Sequence, residues 1–182
     1  MSAGSEPEIV LTAPPELNAG QFLRSPYRET LGAITQLVAG ARRHIILGSP
    51  FLEFKEVLCV GPIGGALAAA MNRGVRVDLV STKANLVGIP VGAVGSGDIP
   101  SRLRLFQPVG NRSDERSLGS HAKFCLVDHE HAYLGSANLT EKGMTEHLEL
   151  GVIVHGAAAR HLWAIFEQLF RTGYFSEFPT SS

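Results

Sequence analysis

The stretch SHAKFCLVDHEHAYLGSANLTEKGMTEHLELGV, residues 120–152, gathers the side chains of this chain that could do chemistry on an anionic substrate. On a strand, residues two apart point to one face, so His121 and Lys123 project together while Ala122, Phe124 and Leu126 pack on the other side. An imidazole beside an ammonium suits an anion. Asp128 has the opposite parity to His121, which makes it a supporting residue rather than one that meets substrate. Gly135-Ser136-Ala137-Asn138 follows the next strand at a turn. There glycine permits close backbone approach, Ser136 supplies a hydroxyl and Asn138 an amide donor, groups that could hold the non-bridging oxygens of a phosphate. His147, Glu149 and Gly151 share one strand face opposite Leu148 and Leu150. Glu149 is therefore expected on the functional side and could orient an imidazole through Nδ1.

The run HxK, four residues, Asp, six residues, GSxN resembles the signature of the phospholipase D superfamily. His121, Lys123, Asp128, Gly135, Ser136 and Asn138 match it without a gap, and Glu149 matches the acidic residue that follows in bacterial single-motif nucleases. The resemblance implies a two-step reaction: one histidine attacks phosphorus, a second protonates the leaving oxygen, and water releases the product. Lysine and asparagine stabilise charge on the equatorial oxygens. The motif occurs once, whereas that chemistry needs two histidines, so a symmetric homodimer with the active site at its interface is expected. The LTAPP opening, the Ser49-Pro50-Phe51 turn and the GSANLTEKG segment are also similar to phospholipase-like proteins of DISARM-type phage-defence gene clusters.

The elements that must position these residues follow from periodicity. Leu31, Ile34, Val38 and Ala41 fall on one helical face, and the apolar run Ile45–Leu47 after them is closed by Gly48-Ser49-Pro50. A second helix opens near Pro62, carries Ile63, Leu67, Ala70 and Met71 on one face and stops at Asn72-Arg73-Gly74. Residues 75–79, then 103–105, 124–127, 132–134 and 148–154 read as strands. Leu162, Ile165, Phe166, Leu169 and Phe170 form the stripe of a last helix. The expected fold is α/β, a mixed β-sheet flanked by helices on both faces. Residues 1–20 read as an extended, peripheral lead-in, 21–178 as a single domain and 179–182 as a tail.

With 182 residues, 45% hydrophobic and 18% charged, the chain has the composition of one globular domain, neither disordered nor fibrous. A formal net charge of −1 excludes the strong overall positive field of a nucleic-acid coat protein, so anion binding must be local. Arg102, Arg104, Arg112 and Arg116 outnumber Asp114 and Glu115 ahead of the motif. They suggest a positively lined approach, with Arg112 and Arg116 as substrate-binding candidates. The opening residues lack the pattern of a secretory signal, and no apolar run is long enough to span a bilayer, so a cytoplasmic location is expected. Cys59 and Cys125 lack CxxC spacing and are expected to be free. His129 and His131 form an HxH without a completing ligand set, so no metal is expected, and no cofactor motif is present. His44, His155 and His161 read as incidental. Gly92, Gly95 and Gly97 read as plain loop glycines.

The expected activity is a metal-independent phosphodiesterase, a nuclease-like hydrolase with nucleic acid as partner. A phospholipase or phosphatidyltransferase shares the motif but would ordinarily add an interfacial amphipathic segment. A nucleic-acid-binding subunit of a larger defence complex with little turnover is the third reading.

Overall fold

The structure, a computed structural model, describes residues 6–17, 26–87, 89, 102–110 and 120–179. Arg112, Arg116, Gly92, Gly95 and Gly97 lie outside the described residues. The first helical stripe forms α1 (Thr30–Gly40), with Ala33, Ile34 and Val38 buried, and the second forms α2 (Pro62–Asn72), with Ile63, Leu67, Ala70 and Met71 buried. Burying each of the larger aliphatic side chains stabilises by about 1.5–3 kcal/mol. Proline is well placed at the first position of α2, where its missing N–H has no intrahelical partner to lose. Gly74, at φ +95°, ends that helix in the left-handed region, and its N–H donates to the carbonyl of Met71 at 2.8 Å.

Nine strands form one mixed sheet among the described residues: β1 (Glu8–Thr12), β2 (Arg28–Glu29), β3 (His44–Gly48), β4 (Arg76–Val80), β5 (Leu103–Pro108), β6 (Lys123–Val127), β7 (His131–Gly135), β8 (Glu149–His155) and β9 (Phe175–Glu177). Their order is β2-β1-β8-β7-β6-β3-β4-β5-β9. β3, β4 and β5 run parallel, while β6, β7, β8 and β1 continue antiparallel on the other side of β3. Ile45, Leu47, Val77, Leu79, Leu105, Cys125, Tyr133 and Ile153 point to the face covered by α1 and α2. Ile46, Phe106, Phe124, Leu126 and Ala132 point to the face covered by the last helix, α5 (Ala157–Arg171). Helices thus cover both faces, as the periodicity predicts.

Three features depart from the sequence reading. The expected lead-in contributes β1, which lies between β2 and β8 in register Val10↔Gly151 and buries Val10 and Leu11. Its apolar run is short and bracketed by prolines, and it becomes a strand only because β8 offers it an edge to pair with. In α5 the buried stripe is Ala159, Trp163 and Phe166, and Ile165 is 55% exposed. Rotating the stripe onto Trp163 buries the larger ring. Leu148 and Leu150 each remain 59% exposed, because they lie on the α5 face of β8 beyond that helix's reach. A π-helical segment, Phe54–Val60, and two short helices, α3 (Lys83–Leu86) and α4 (Glu141–Thr145), complete the described elements besides one 3-10 turn at Pro15–Leu17. No single described helix is long and apolar enough to cross a membrane. Cys59 and Cys125 are free, and burial pushes the Cys125 thiol up to about 12.

Asp128 sits in the turn between β6 and β7, where it and His129 both adopt positive φ, 54° and 63°. Aspartate tolerates that region better than most residues because its short polar side chain bonds locally. Its carboxylate accepts three backbone N–H bonds, from Arg42 at 2.7 Å and from Arg43 and His44 at 2.8 Å, and so fastens the start of β3 to the hairpin. Burial pushes this carboxyl up, but the N–H bonds outweigh it and hold the group below the usual carboxylate value. A depressed carboxylate stabilises the fold above its ordinary pKa, and that contribution is lost as pH falls through the lowered folded value. Asp128→Ala is expected to cost about 0.5–1.5 kcal/mol, since water can reach the partly exposed donors once the carboxylate is gone. Denaturant melts should show the gap to wild type narrowing in acid, and an unchanged gap down to pH 2 would contradict this role.

Candidate functional site

Lys123 opens β6, Gly135 closes β7, Gly48 closes β3 and Glu149 opens β8, so the register Lys123↔Gly135↔Gly151 brings the motif to one end of the sheet. This is the carboxyl end of the parallel strands β3 and β4, where open α/β sheets commonly bind ligands. His121 lies two residues before β6 and is exposed, while Lys123 is 7% exposed. The Lys123 ammonium lies 2.9 Å from His121 Nδ1 and 3.2 Å from Nε2, and donates to the His121 carbonyl at 3.0 Å. An ammonium has only hydrogens to offer, so a ring nitrogen that bonds to it must present a lone pair. Burial lowers the Lys123 ammonium below the usual lysine value, while the charge of Glu149 works the other way.

The Gly135–Asn138 turn is fixed from two sides. Ser136 donates its backbone N–H to the Leu150 carbonyl at 3.0 Å, its hydroxyl accepts the Leu150 N–H at 3.1 Å, and the hydroxyl donates to Glu149. Asn138 is half-buried, with Oδ1 3.3 Å from Ser49 Oγ, which also accepts the Leu139 N–H at 3.1 Å. The Ser49 hydroxyl donates to the Phe51 carbonyl at 2.6 Å, so the contact with Asn138 Oδ1 is the longer of its two. Ser49 is 3% exposed and is the residue that sequence reading missed. Its only signal was the Gly-Ser-Pro that closes β3, read simply as a turn. Beneath this turn the Tyr133 ring lies across the Gly135/Gly151 pair, and a Cβ on Gly135 would collide with the phenol. Glycine is required here to clear Tyr133 below it, not merely to admit a ligand from above.

The structure therefore brings His121, Lys123, Ser136, Asn138 and Glu149 to one end of the sheet and leaves Asp128 at the other. Among the described residues Glu149 makes no hydrogen bond to His121. Its partners are Ser136 and, at 4.0 Å, His147 Nδ1. Arg102 and Arg104 do not line an approach to the site, because β5 begins at the opposite end of the sheet. Arg102 donates to the Gly74 carbonyl, and Arg104 pairs with Asp78. Two of the three histidines read as incidental have partners: His44 bonds Asp78 and Arg76, and His155 bonds Glu8 at 2.8 Å and His131 Nδ1 at 2.8 Å. The two members of the HxH diverge, His129 stacking on Trp163 at 4.0 Å and His131 turning to His155.

A mixed sheet whose end joins HxK to GSxN across adjacent strands defines a phospholipase D-like domain. The chain belongs to the PLD-like domain family, matching "Cardiolipin synthase, PLD-like domain" over residues 34–170. It is 25% identical over 171 residues to the DISARM protein DrmC of Bacillus paralicheniformis, a match that covers 93% of this chain and 65% of that one. It therefore spans just under two thirds of that relative's length. The human 5'-3' exonuclease PLD3 is 47% identical over 49 residues, 26% of this chain and 10% of PLD3. Among solved structures, Nuc from Salmonella typhimurium superposes with a TM-score of 0.57 at 19% identity, covering 96% of this chain and all of Nuc. NucT from Helicobacter pylori superposes at 0.62 with 11% identity, covering 95% of this chain and all of NucT. These likenesses establish the fold.

Proposed function

We propose that this chain is a phosphodiesterase that hydrolyses nucleic-acid backbones at a site shared by two copies. The observation that carries the reading is the His121 ring held against the buried Lys123 ammonium at the end of the sheet, with Asn138 on the neighbouring turn. The His121 ring nitrogen attacks phosphorus and the P–O bond to the leaving group breaks. The leaving oxygen takes a proton from His121 of a second copy, now the general acid. Water then attacks the phosphohistidine, gives its proton to that second imidazole, and the P–N bond breaks to free His121. Lys123 and Asn138 offset charge on the equatorial oxygens throughout. The two imidazoles are identical in sequence and differ by one proton, so they titrate as a pair.

Histidine nucleophile, histidine acid and the Lys–Asn clamp perform between them the tasks a metal could otherwise take, so turnover is expected to persist in EDTA. The test is incubation with labelled single-stranded DNA, duplex DNA, RNA and mixed phospholipid vesicles in chelator. Cleavage of a nucleic acid alone is the expected result. Release of lipid headgroup instead would replace the substrate, and activity lost in EDTA but restored by a divalent ion would overturn the metal-free scheme. The likeness to DrmC over 93% of the chain supports a second reading, a nucleic-acid-binding subunit of a phage-defence assembly. Binding without cleavage in the same assay would favour it.

A further inference from the structure

Far from His121, on the face covered by α5, three adjacent strands set a row of charged side chains. The register pairs His44 with Arg76 and Asp78 with Arg104. Asp78 is 2% exposed. Burial pushes its carboxyl up, yet hydrogen bonds from His44 and Arg104 outweigh this and hold it below the usual carboxylate value. Arg104 donates Nε and Nη2 to the two carboxylate oxygens at 2.9 and 2.8 Å, and His44 Nε2 lies 2.8 Å from Oδ2. Arg76 Nη2 lies 2.9 Å from His44 Nδ1. A guanidinium only donates, so Nδ1 accepts and Nε2–H points to Asp78. Asp78 therefore pairs with Arg104 directly and reaches Arg76 only through the His44 ring.

Arg76, Arg104 and Arg171 line a cavity of about 260 Å³ together with His44, Asp78, Glu167, Phe106 and Phe170. The side chain of Arg171, the last residue of α5, makes no hydrogen bond or ion pair among the described residues. Three guanidinium groups thus face two carboxylates, one of which is already spent on Arg104. The negative end of a helix would ordinarily oppose an anion here. In α5 the terminal carbonyls are covered: Gln168 accepts from the Thr172 N–H, Phe170 from Gly173 and Leu169 from Tyr174, at 2.9 to 3.1 Å. A surface arginine needs no buried carboxylate and imidazole to aim it, and burying such a carboxylate is costly. The relay from Asp78 through His44 to Arg76 fixes a cation at the rim of a cavity, which is the use an anion site makes of it.

We propose that this cavity is a second anion site and takes a nucleotide, with its phosphate between Arg76 and Arg171 and its base against Arg104 and Phe170. Paired guanidinium forks match phosphate oxygens in geometry as well as charge. The Arg104 guanidinium lies over the Phe106 ring at 5.0 Å, and the Phe170 ring stands edge-on to Phe106 at 4.7 Å, which gives a planar base flat surfaces to meet. The volume of about 260 Å³ lies just below the usual range for small-molecule pockets, which limits the occupant to a single nucleotide and excludes a lipid chain. The site does not depend on turnover at His121.

Trp163, the chain's single tryptophan, reports on this cavity because its ring centroid lies 4.9 Å from that of His44. Titrating the full chain with AMP should give a saturable change in its emission, with binding at least about tenfold tighter than that of orthophosphate, which lacks the stacking part. Arg76→Ala and, independently, Arg171→Ala should each weaken AMP by about tenfold or more, the scale of a charge-assisted bidentate contact. Glu167→Gln should tighten it. His121→Ala should leave the titration unchanged, which separates this site from the catalytic one. Competition by a 5'-phosphorylated trinucleotide but not by its 5'-hydroxyl form would identify a strand end as the source of the nucleotide; failure of both would identify free nucleotide. The proposal is overturned if AMP gives no saturable change, if orthophosphate matches AMP, if both arginine variants bind as wild type does, or if His121→Ala removes the signal.

Discussion

His121→Ala is expected to abolish turnover on whichever phosphodiester the wild type cleaves, because one side chain supplies both the nucleophile and, from the second copy, the acid. Losing both roles at once is more severe than losing a donor. Lys123→Ala and Asn138→Ala should each lower kcat/KM by the equivalent of about 2–4 kcal/mol, the worth of one preorganised donor to a developing charge. The three variants should retain wild-type melting to within the cost of one side chain, since His121 is exposed and Asn138 half-buried. Lys123→Met keeps the buried stem without the ammonium and guards against a folding artefact at that position. Single-turnover measurements with saturating substrate separate the chemical step from release. Substantial cleavage by His121→Ala would remove it as nucleophile whatever the other variants did.

Mixing wild-type and His121→Ala chains should lower activity beyond simple dilution. If equal amounts are co-refolded and pair at random through an isologous interface, about one dimer in four carries two intact histidines. A mixed pair keeps one motif whole and still lacks either its acid or its nucleophile, so activity per total protein should fall to about a quarter. Sites complete within one chain would instead leave about half. Light scattering on the same samples reads the association state. A monomeric mass with full activity would discard the shared site and keep the phosphodiesterase reading.

The parts of this molecule legible in the sequence are those that depend on neighbours a few residues away. Strand periodicity predicts His121 beside Lys123, and the two side chains do meet although β6 begins only at Lys123; α1 and α2 follow from stripes within 11 residues each. Strand parity predicts a supporting role for Asp128, and its carboxylate accepts the N–H groups of Arg42, Arg43 and His44. What stayed hidden depends on partners far along the chain. Ser49 reaches Asn138 across 89 residues, His44 reaches Asp78 across 34, and Glu8 reaches His155 across 147. No local spacing encodes such pairs. β1 and β9 are invisible for a related reason, since the strands they pair with, β8 and β5, lie far along the chain. Arg104 shows the converse error: proximity in sequence to the motif suggested a role at the site, and an intervening strand length carried it to the far end of the sheet.

The spacing of the motif also has a mechanical meaning. Four residues separate Lys123 from Asp128 because that is the run of β6 from the site to the far rim, and six separate Asp128 from Gly135 because the chain must turn and come back along β7. The motif is a measured round trip, pinned at the distant end by Asp128 on the backbone of Arg42, Arg43 and His44. One residue added to the outward leg would reverse which face every later side chain of that leg presents, and two would restore the face while moving the pin by about 7 Å along the strand. The interval of the signature is thus set by the depth of the sheet, and the residue that keeps it constant sits at the end away from His121.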